Sequence, residues 1–275
     1  MVDVCELHPD ASRAVTSVRY IIGDDAMTLI LHRRLGLVLG VVLALSSARA
    51  VECASNVLNG GTVTACRVDL LHENLQLFWR DDSGRPYRQF SALRDALQTQ
   101  GKKLVFAVNG GMYQPDFSPV GLFVTDRREL VPLNRHTGSS NFSQQPNGVF
   151  LVDGNSARVI TTDEYGREKP KPLLATQSGP MLVHEGEITT SAVMSPDSQW
   201  RKIRNGVCAP SPDAVVFAIS DFPVTFYEFA SYFRDHLHCR EALYLDGSIS
   251  SLYAPRMGRE DRKADLGPII GVTIP

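Results

Sequence analysis

Leu104-Val105-Phe106-Ala107-Val108-Asn109-Gly110-Gly111 runs five apolar residues into an Asx-Gly turn, and Ala242-Leu243-Tyr244-Leu245-Asp246-Gly247-Ser248 runs four into another near the other end of the chain. An apolar run of this length between turn signals reads as a buried strand. A strand that ends in a short polar side chain followed by glycine delivers that side chain to one rim of its sheet, and the glycine lets the backbone turn sharply or lets a ligand approach it. Taken singly, Asn-Gly and Asp-Gly are also the favoured pairs of ordinary hairpin turns. Further turns of this kind follow in order: Pro119-Val120-Gly121-Leu122, Pro146-Asn147-Gly148-Val149, Gln177-Ser178-Gly179-Pro180, Arg204-Asn205-Gly206-Val207 and Ala218-Ile219-Ser220-Asp221.

Working outward from these turns, the pattern predicts strands over Thr62 to Asp69, Leu75 to Trp79, Lys103 to Val108, Gly121 to Thr125, Gly148 to Val152, Ala157 to Thr161, Leu173 to Thr176, Met181 to His184, Ala214 to Ser220 and Glu241 to Leu245. Two helices stand out. Ser91 to Gln100 puts Leu93, Ala96 and Leu97 on one face and stops at Gly101, and Thr225 to Glu228 has the spacing of a capping box opening a helix that runs through His236. Strands outnumber helices without regular alternation, so the expected class is α+β, a strand-rich single domain with a few packed helices. The 275 residues are 43% hydrophobic and 21% charged, the composition of a folded domain. Lys plus Arg total 28 against 30 Asp plus Glu, a net charge of -2 with no basic stripe, which argues against nucleic acid as a partner.

The first fifty residues read as an address. From Met27 a short segment with Arg33 and Arg34 leads into an apolar stretch, Leu35 to Leu45, and closes on Ala48-Arg49-Ala50. This is the pattern of a signal peptide with a small-residue cleavage site. The stretch is well short of the about 20 residues that span a bilayer, so no permanent membrane anchor is expected. Residues 1–26 then form an upstream extension, 27–50 the signal peptide and 51–275 the mature domain, which points to a secreted or periplasmic location. Loss of the leader removes Cys5 and leaves an even set, Cys53, Cys66, Cys208 and Cys239. Three pairings are open to four cysteines. The favoured one joins Cys53 to Cys66 and Cys208 to Cys239, each loop closure contributing roughly 3 to 4 kcal/mol. No C-x-x-C pair exists, and His236 and His238 at a helix end read as last-turn cations, so no metal site is expected.

The ordered series of turns resembles the phosphodiester glycosidase domain family, over roughly Val63 to Ile274. No one of these turns is specific; the ordered set is. Where many members carry an Arg-Thr-Ala-type segment, this chain has Arg204-Asn205-Gly206, similar to a bacterial subgroup. The resemblance implies an exported enzyme without an organic cofactor that cleaves the bond between a sugar's anomeric carbon and a phosphodiester, with a glycan or sugar phosphate as its partner. A phosphate monoester leaves readily, so a general acid matters less than a cation that holds the phosphate. Arg204 is the expected clamp, because a guanidinium grips two phosphate oxygens at once, with Arg201 and Lys202 as neighbours. Cleavage at an anomeric carbon calls for a carboxylate. Asp246 at the mouth of its strand is the first candidate, Asp221 the second and Glu228, which also fits the capping box, the third. Asn109, Gly110, Asn147, Ser178, Gly179 and Ser248 are the expected substrate contacts.

Two other classes fit parts of the pattern. A serine hydrolase would pair Ser248 or Ser178 with His136 or His184, though no G-x-S-x-G elbow is present. A non-catalytic envelope module would bind glycans through the same turns, with Tyr113, Tyr227 or Tyr253 as platforms.

Overall fold

The computed structural model describes residues 51–138, 140–190 and 192–275. The expected extension and signal peptide at 1–50 lie outside the described residues. In chain order the structure runs β1 (Glu52–Leu58), β2 (Gly61–Asp69), β3 (Asn74–Phe78), α1 (Phe90–Thr99), β4 (Lys103–Asn109), β5 (Phe123–Thr125) and β6 (Arg128–Val131). It continues through β7 (Gly148–Asp153), β8 (Ser156–Thr161), α2 (Thr162–Glu168), β9 (Leu174–Ser178), β10 (Met181–His184) and β11 (Glu187–Ile188). The last part holds β12 (Asn205–Ser211), β13 (Ala214–Ser220), α3 (Phe226–Ser231), β14 (Ala242–Tyr244), β15 (Leu252–Ala254), β16 (Arg259–Glu260) and β17 (Ile269–Ile274). The class is α+β, as the scarcity of helices predicts.

The strands make three sheets: a seven-stranded one ordered β1-β2-β13-β12-β14-β10-β11, and two of five strands ordered β16-β15-β4-β17-β3 and β6-β5-β9-β7-β8. Apolar side chains from all three meet in one core that includes Val215 of β13, Val108 of β4 and Val152 of β7. Phe217 of β13 lies at its centre. Its ring centroid is 5.5 Å from that of Phe106 on β4 and 5.9 Å from that of Phe150 on β7, so one side chain joins the three sheets. Each such aromatic pair contributes about 0.5 to 1.5 kcal/mol beyond the apolar area it buries.

Helix α1 buries Phe90, Leu93 and Leu97 against Leu104 and Ala107 of β4. It stops where Gly101 takes a φ of +72°, with the Lys102 and Gly101 N–H groups donating back to Leu97 and Gln98. The capping box of α3 is present: the Glu228 N–H donates to Thr225 Oγ1 at 3.1 Å and the Thr225 N–H to Glu228 Oε2 at 2.9 Å. This helix is shorter than the spacing predicts and passes into a wider π-helical turn at Tyr232–His236. Cys53 is bonded to Cys66, its direct cross-strand neighbour in the β1–β2 ladder, and Cys208 of β12 to Cys239 beyond the π-helical turn. No helix among the described residues is long and apolar enough to cross a membrane.

Candidate active site

The two opening runs end side by side. β4 delivers Asn109 and β14 leads to Asp246, and the Asp246 N–H donates to the carbonyl of Gly110 at 3.1 Å. Asn109, fully buried, uses both ends of its amide: Nδ2 donates to the Asp246 carbonyl at 2.8 Å, and Oδ1 accepts from the Ser251 N–H at 2.9 Å and from Asn205 Nδ2 at 3.0 Å. Asn205 opens β12, and its Oδ1 lies 3.0 Å from Ser250 Oγ. Strand ends far apart in sequence thus clamp the Asp246 turn from below. Asn109 and Gly110, expected as substrate contacts, commit the Asn109 amide and the Gly110 carbonyl to holding that turn.

The glycines are required by close approach. A Cβ on Gly111 would come within 2.4 Å of the Gln177 carbonyl oxygen, and one on Gly247 within 1.8 Å of the Tyr244 hydroxyl. The second wall stands on Gln177. Ser178 ends β9 opposite Gly148, and Gly179 packs on Asn147, where a Cβ would meet the Asn147 side chain at 2.7 Å. Asn147 Nδ2 donates to the Phe142 carbonyl at 2.9 Å, while Asn147 Oδ1 and Ser178 Oγ are buried without hydrogen-bond partners. The Tyr244 N–H donates to the Pro180 carbonyl at 3.0 Å and ties this wall to the strand that carries Asp246.

Asp246 itself is half-buried and belongs to no ion pair among the described residues. Its Oδ1 accepts the Ser248 N–H at 3.2 Å at the head of a short 3-10 turn, Gly247–Ile249. Burial pushes the carboxyl above its ordinary range, and the Ser248 bond offsets only part of that shift. Ser248 is exposed at the lip of the turn.

Three residues with expected roles are engaged by their surroundings. Arg204 is only 2% exposed. Its Nε donates to the Val224 carbonyl at 2.9 Å, Nη1 to the Tyr244 hydroxyl at 3.3 Å and Nη2 to the Trp200 carbonyl at 3.1 Å, and its plane lies 3.6 Å from the centre of the Phe226 ring. It presents no fork to solvent, since Phe226, Tyr244 and the two carbonyls hold the side chain inward. Glu228 is spent on its capping box and on Arg201, whose two terminal nitrogens reach it at 2.7 and 2.9 Å. Burial raises this carboxyl, but the Thr225 N–H and Arg201 outweigh it and the net shift is downward. Asp221 accepts from the Thr62 and Thr64 hydroxyls at 2.9 and 3.0 Å and pairs with Arg259.

The serine hydrolase arrangement finds no support. Ser178 Oγ has no partner, and His184 faces Glu241 at 3.0 Å. No three-residue cluster that could hold a metal occurs among the described residues. A cavity of about 540 Å³ lies along Val131 to His136, and another of about 360 Å³ beside Trp79 and Tyr87; neither is lined by the Asp246 turn. Sequence reasoning missed Asn205, Ser250 and Tyr244 as parts of the site. Asn205 stood inside a quoted turn, and its place at a strand start was the signal that could have found it.

Comparison with known proteins places the chain among relatives. Residues 102–272 match the family described as phosphodiester glycosidase. An uncharacterised Escherichia coli protein, YigE, is 34% identical over 235 residues, covering 85% of this chain and 89% of the relative. Among solved structures, the catalytic domain of zebrafish N-acetylglucosamine-1-phosphodiester alpha-N-acetylglucosaminidase, auto-inhibited by its pro-peptide, superposes with a TM-score of 0.58 at 12% identity, over 82% of this chain and 84% of that one. A hypothetical protein from Synechocystis does so with a TM-score of 0.51 at 12% identity, over 82% of this chain and 62% of that one. These two establish likeness of fold, and the sequence match over most of the core establishes kinship: the chain belongs to the phosphodiester glycosidase family.

Proposed function

We propose that this protein hydrolyses the bond between the anomeric carbon of a sugar and the oxygen of a phosphodiester, releasing the free sugar and a phosphate monoester. Asp246 carries the reading: it is an unpaired, half-buried carboxylate with a raised pKa, fixed where the ends of β4, β9, β12 and β14 meet. In the reaction, water gives its hydroxyl to the anomeric carbon, the carbon–oxygen bond breaks, and the bonding electrons leave with the phosphate oxygen. The proton from water passes to the carboxylate or to solvent. Asp246 acts by stabilising or trapping the oxocarbenium-like centre, or by activating that water. The leaving phosphate is a weak base, so cleavage of this bond demands less of a general acid beside Asp246 than an ordinary glycoside does. Ser248 at the lip, and the wall of Asn147, Ser178 and Gly179, form the substrate side in this reading.

Export is part of the proposal. The leader pattern at 27–50 and the two disulfides fit an oxidising compartment, with translation starting at Met27 and the mature chain beginning near Val51. N-terminal sequencing of the exported protein checks it; a product that retains residues 1–26 overturns it. For the activity, N-acetylglucosamine 1-phosphate methyl ester is the first substrate to try. The expected products are N-acetylglucosamine and methyl phosphate. Asp246→Asn keeps the shape and removes the charge, so turnover falls by orders of magnitude while the substrate still binds. Undiminished hydrolysis by a folded Asp246→Asn protein removes the role assigned to that carboxylate.

A further inference from the structure

Trp200 is 76% exposed, the most exposed of the large apolar side chains among the described residues. Its backbone is held on every side. The Trp200 carbonyl accepts from Arg204 Nη2 at 3.1 Å, and its N–H donates to Ser198 Oγ at 3.3 Å. Arg201 is forked onto Glu228, and Lys202 exchanges two backbone hydrogen bonds with Val224 at 2.9 and 3.0 Å. The result is a free indole on a rigid mount, which loses little conformational freedom when something stacks on it.

The mount and the Asp246 turn share one brace. The buried Arg204 guanidinium holds the Trp200 carbonyl with one arm and the Tyr244 hydroxyl with the other, and Gly247 packs directly on that hydroxyl. Ser250 Oγ adds a second link, 3.4 Å from the Ile203 carbonyl oxygen and 3.1 Å from that of Gly247. A guanidinium with no carboxylate partner, spent on two loop carbonyls and a phenol, is an unusual expenditure of a buried cation. It is explained if the relative position of Trp200 and Asp246 matters.

We infer that Trp200 is a specificity-determining residue, a stacking platform for the apolar face of a sugar ring at the rim of the Asp246 site. The inference rests on the glycosidase reading above. The surroundings favour a sugar over a protein or lipid partner, because the indole stands alone among exposed polar neighbours, Ser195, Asp197, Gln199 and Lys202, that suit hydroxyl groups. A pyranose presents axial C–H bonds to an aromatic face and hydroxyls around its edge. A protein partner would need a contiguous patch of about 800 Å².

The test compares wild type, Trp200→Ala and Trp200→Phe on N-acetylglucosamine 1-phosphate methyl ester. KM is expected to rise about tenfold in the alanine variant with kcat within about twofold, and to stay near wild type in the phenylalanine variant, as the loss of a ring contact predicts. In parallel, tryptophan emission is titrated with N-acetylglucosamine 1-phosphate, with Trp200→Phe as the blank that leaves Trp79 alone; a saturable change absent from the blank is expected. An unchanged KM in Trp200→Ala, or a fall in kcat alone, overturns the platform. If wild type turns over no sugar-1-phosphodiester, the activity reading fails separately, and the titration decides: a saturable Trp200 signal sustains the platform and its absence overturns it.

Discussion

The side-chain amide of Asn109 donates to the backbone carbonyl of Asp246 at 2.8 Å, and its oxygen accepts from Asn205 at 3.0 Å, so one buried amide fixes two other strand ends. Replacing Asn109 by Ala strips this partner from the Asp246 carbonyl and from the buried Ser251 N–H, while Asn205 Nδ2 keeps the Asn109 backbone carbonyl at 3.2 Å. The cost is expected to be about 2 to 4 kcal/mol by urea denaturation, with turnover reduced in step. A cycle with Asn205→Ala should show coupling of about 0.5 to 3 kcal/mol, and simple additivity would mean that the network does not act as a unit.

Asp246 links stability and activity in opposite directions. Burial raises its pKa above the ordinary 3.8, so the folded chain holds this proton to higher pH than the unfolded chain does, and its ionisation subtracts from stability as pH rises through the raised value. Asp246→Asn is therefore expected to melt higher than wild type at pH 7, with the difference shrinking as pH falls through the raised value toward 3.8, below which the folded and unfolded chains both hold the proton. Scanning calorimetry at several pH values checks this. The acid limb of the activity profile should lie above 3.8 and disappear with the variant's activity.

Arg204→Lys keeps the charge but loses the bonds to Val224 and Trp200 and the stacking on Phe226. Stability should fall by about 2 kcal/mol or more. Because the guanidinium braces loops and is closed to solvent, activity should fall equally on a phosphodiester and on an aryl glycoside. A loss concentrated on the phosphodiester would restore the clamp that the sequence suggests.

Cys208 and Cys239 are both buried, and their bond closes a loop of 31 residues. Replacing both by Ala is expected to cost about 3 to 4 kcal/mol, against about 3 for the 13-residue loop of Cys53 and Cys66. Chemical denaturation of the two double variants measures the difference, and non-reducing peptide mapping establishes the pairing.

The apolar runs made most of the core strands legible, β4, β13 and β14 among them, because buried strands carry little else. β1 escaped notice because Glu-Cys-Ala-Ser-Asn-Val-Leu lies at a sheet edge with most of its side chains exposed, and an edge strand need not alternate. β12 was hidden by Pro210, which its bulged pairing with β13 tolerates, and β17 by Gly271 inside its run and the prolines that flank it, Pro268 and Pro275. Helix α2 has the same capping box as α3, Thr161 with Glu164, but follows β8 without a gap and reads as its tail. Asp246 was legible as the residue that leaves a buried strand at a glycine. Arg204 was legible as important but not in its role, since whether a guanidinium points inward depends on Phe226 and Tyr244, which arrive from elsewhere in the chain.

The stretch that marks the family begins at residue 102, yet β2 and β3 lie before it and pair with strands that come after it, β2 with β13 and β3 with β17. A fragment trimmed to that stretch would uncover two long apolar ladders at once, each an invitation to pair with a neighbouring molecule. Expression work on this protein therefore needs β1 through β3 in the clone; anything shorter is expected to collect as insoluble aggregate.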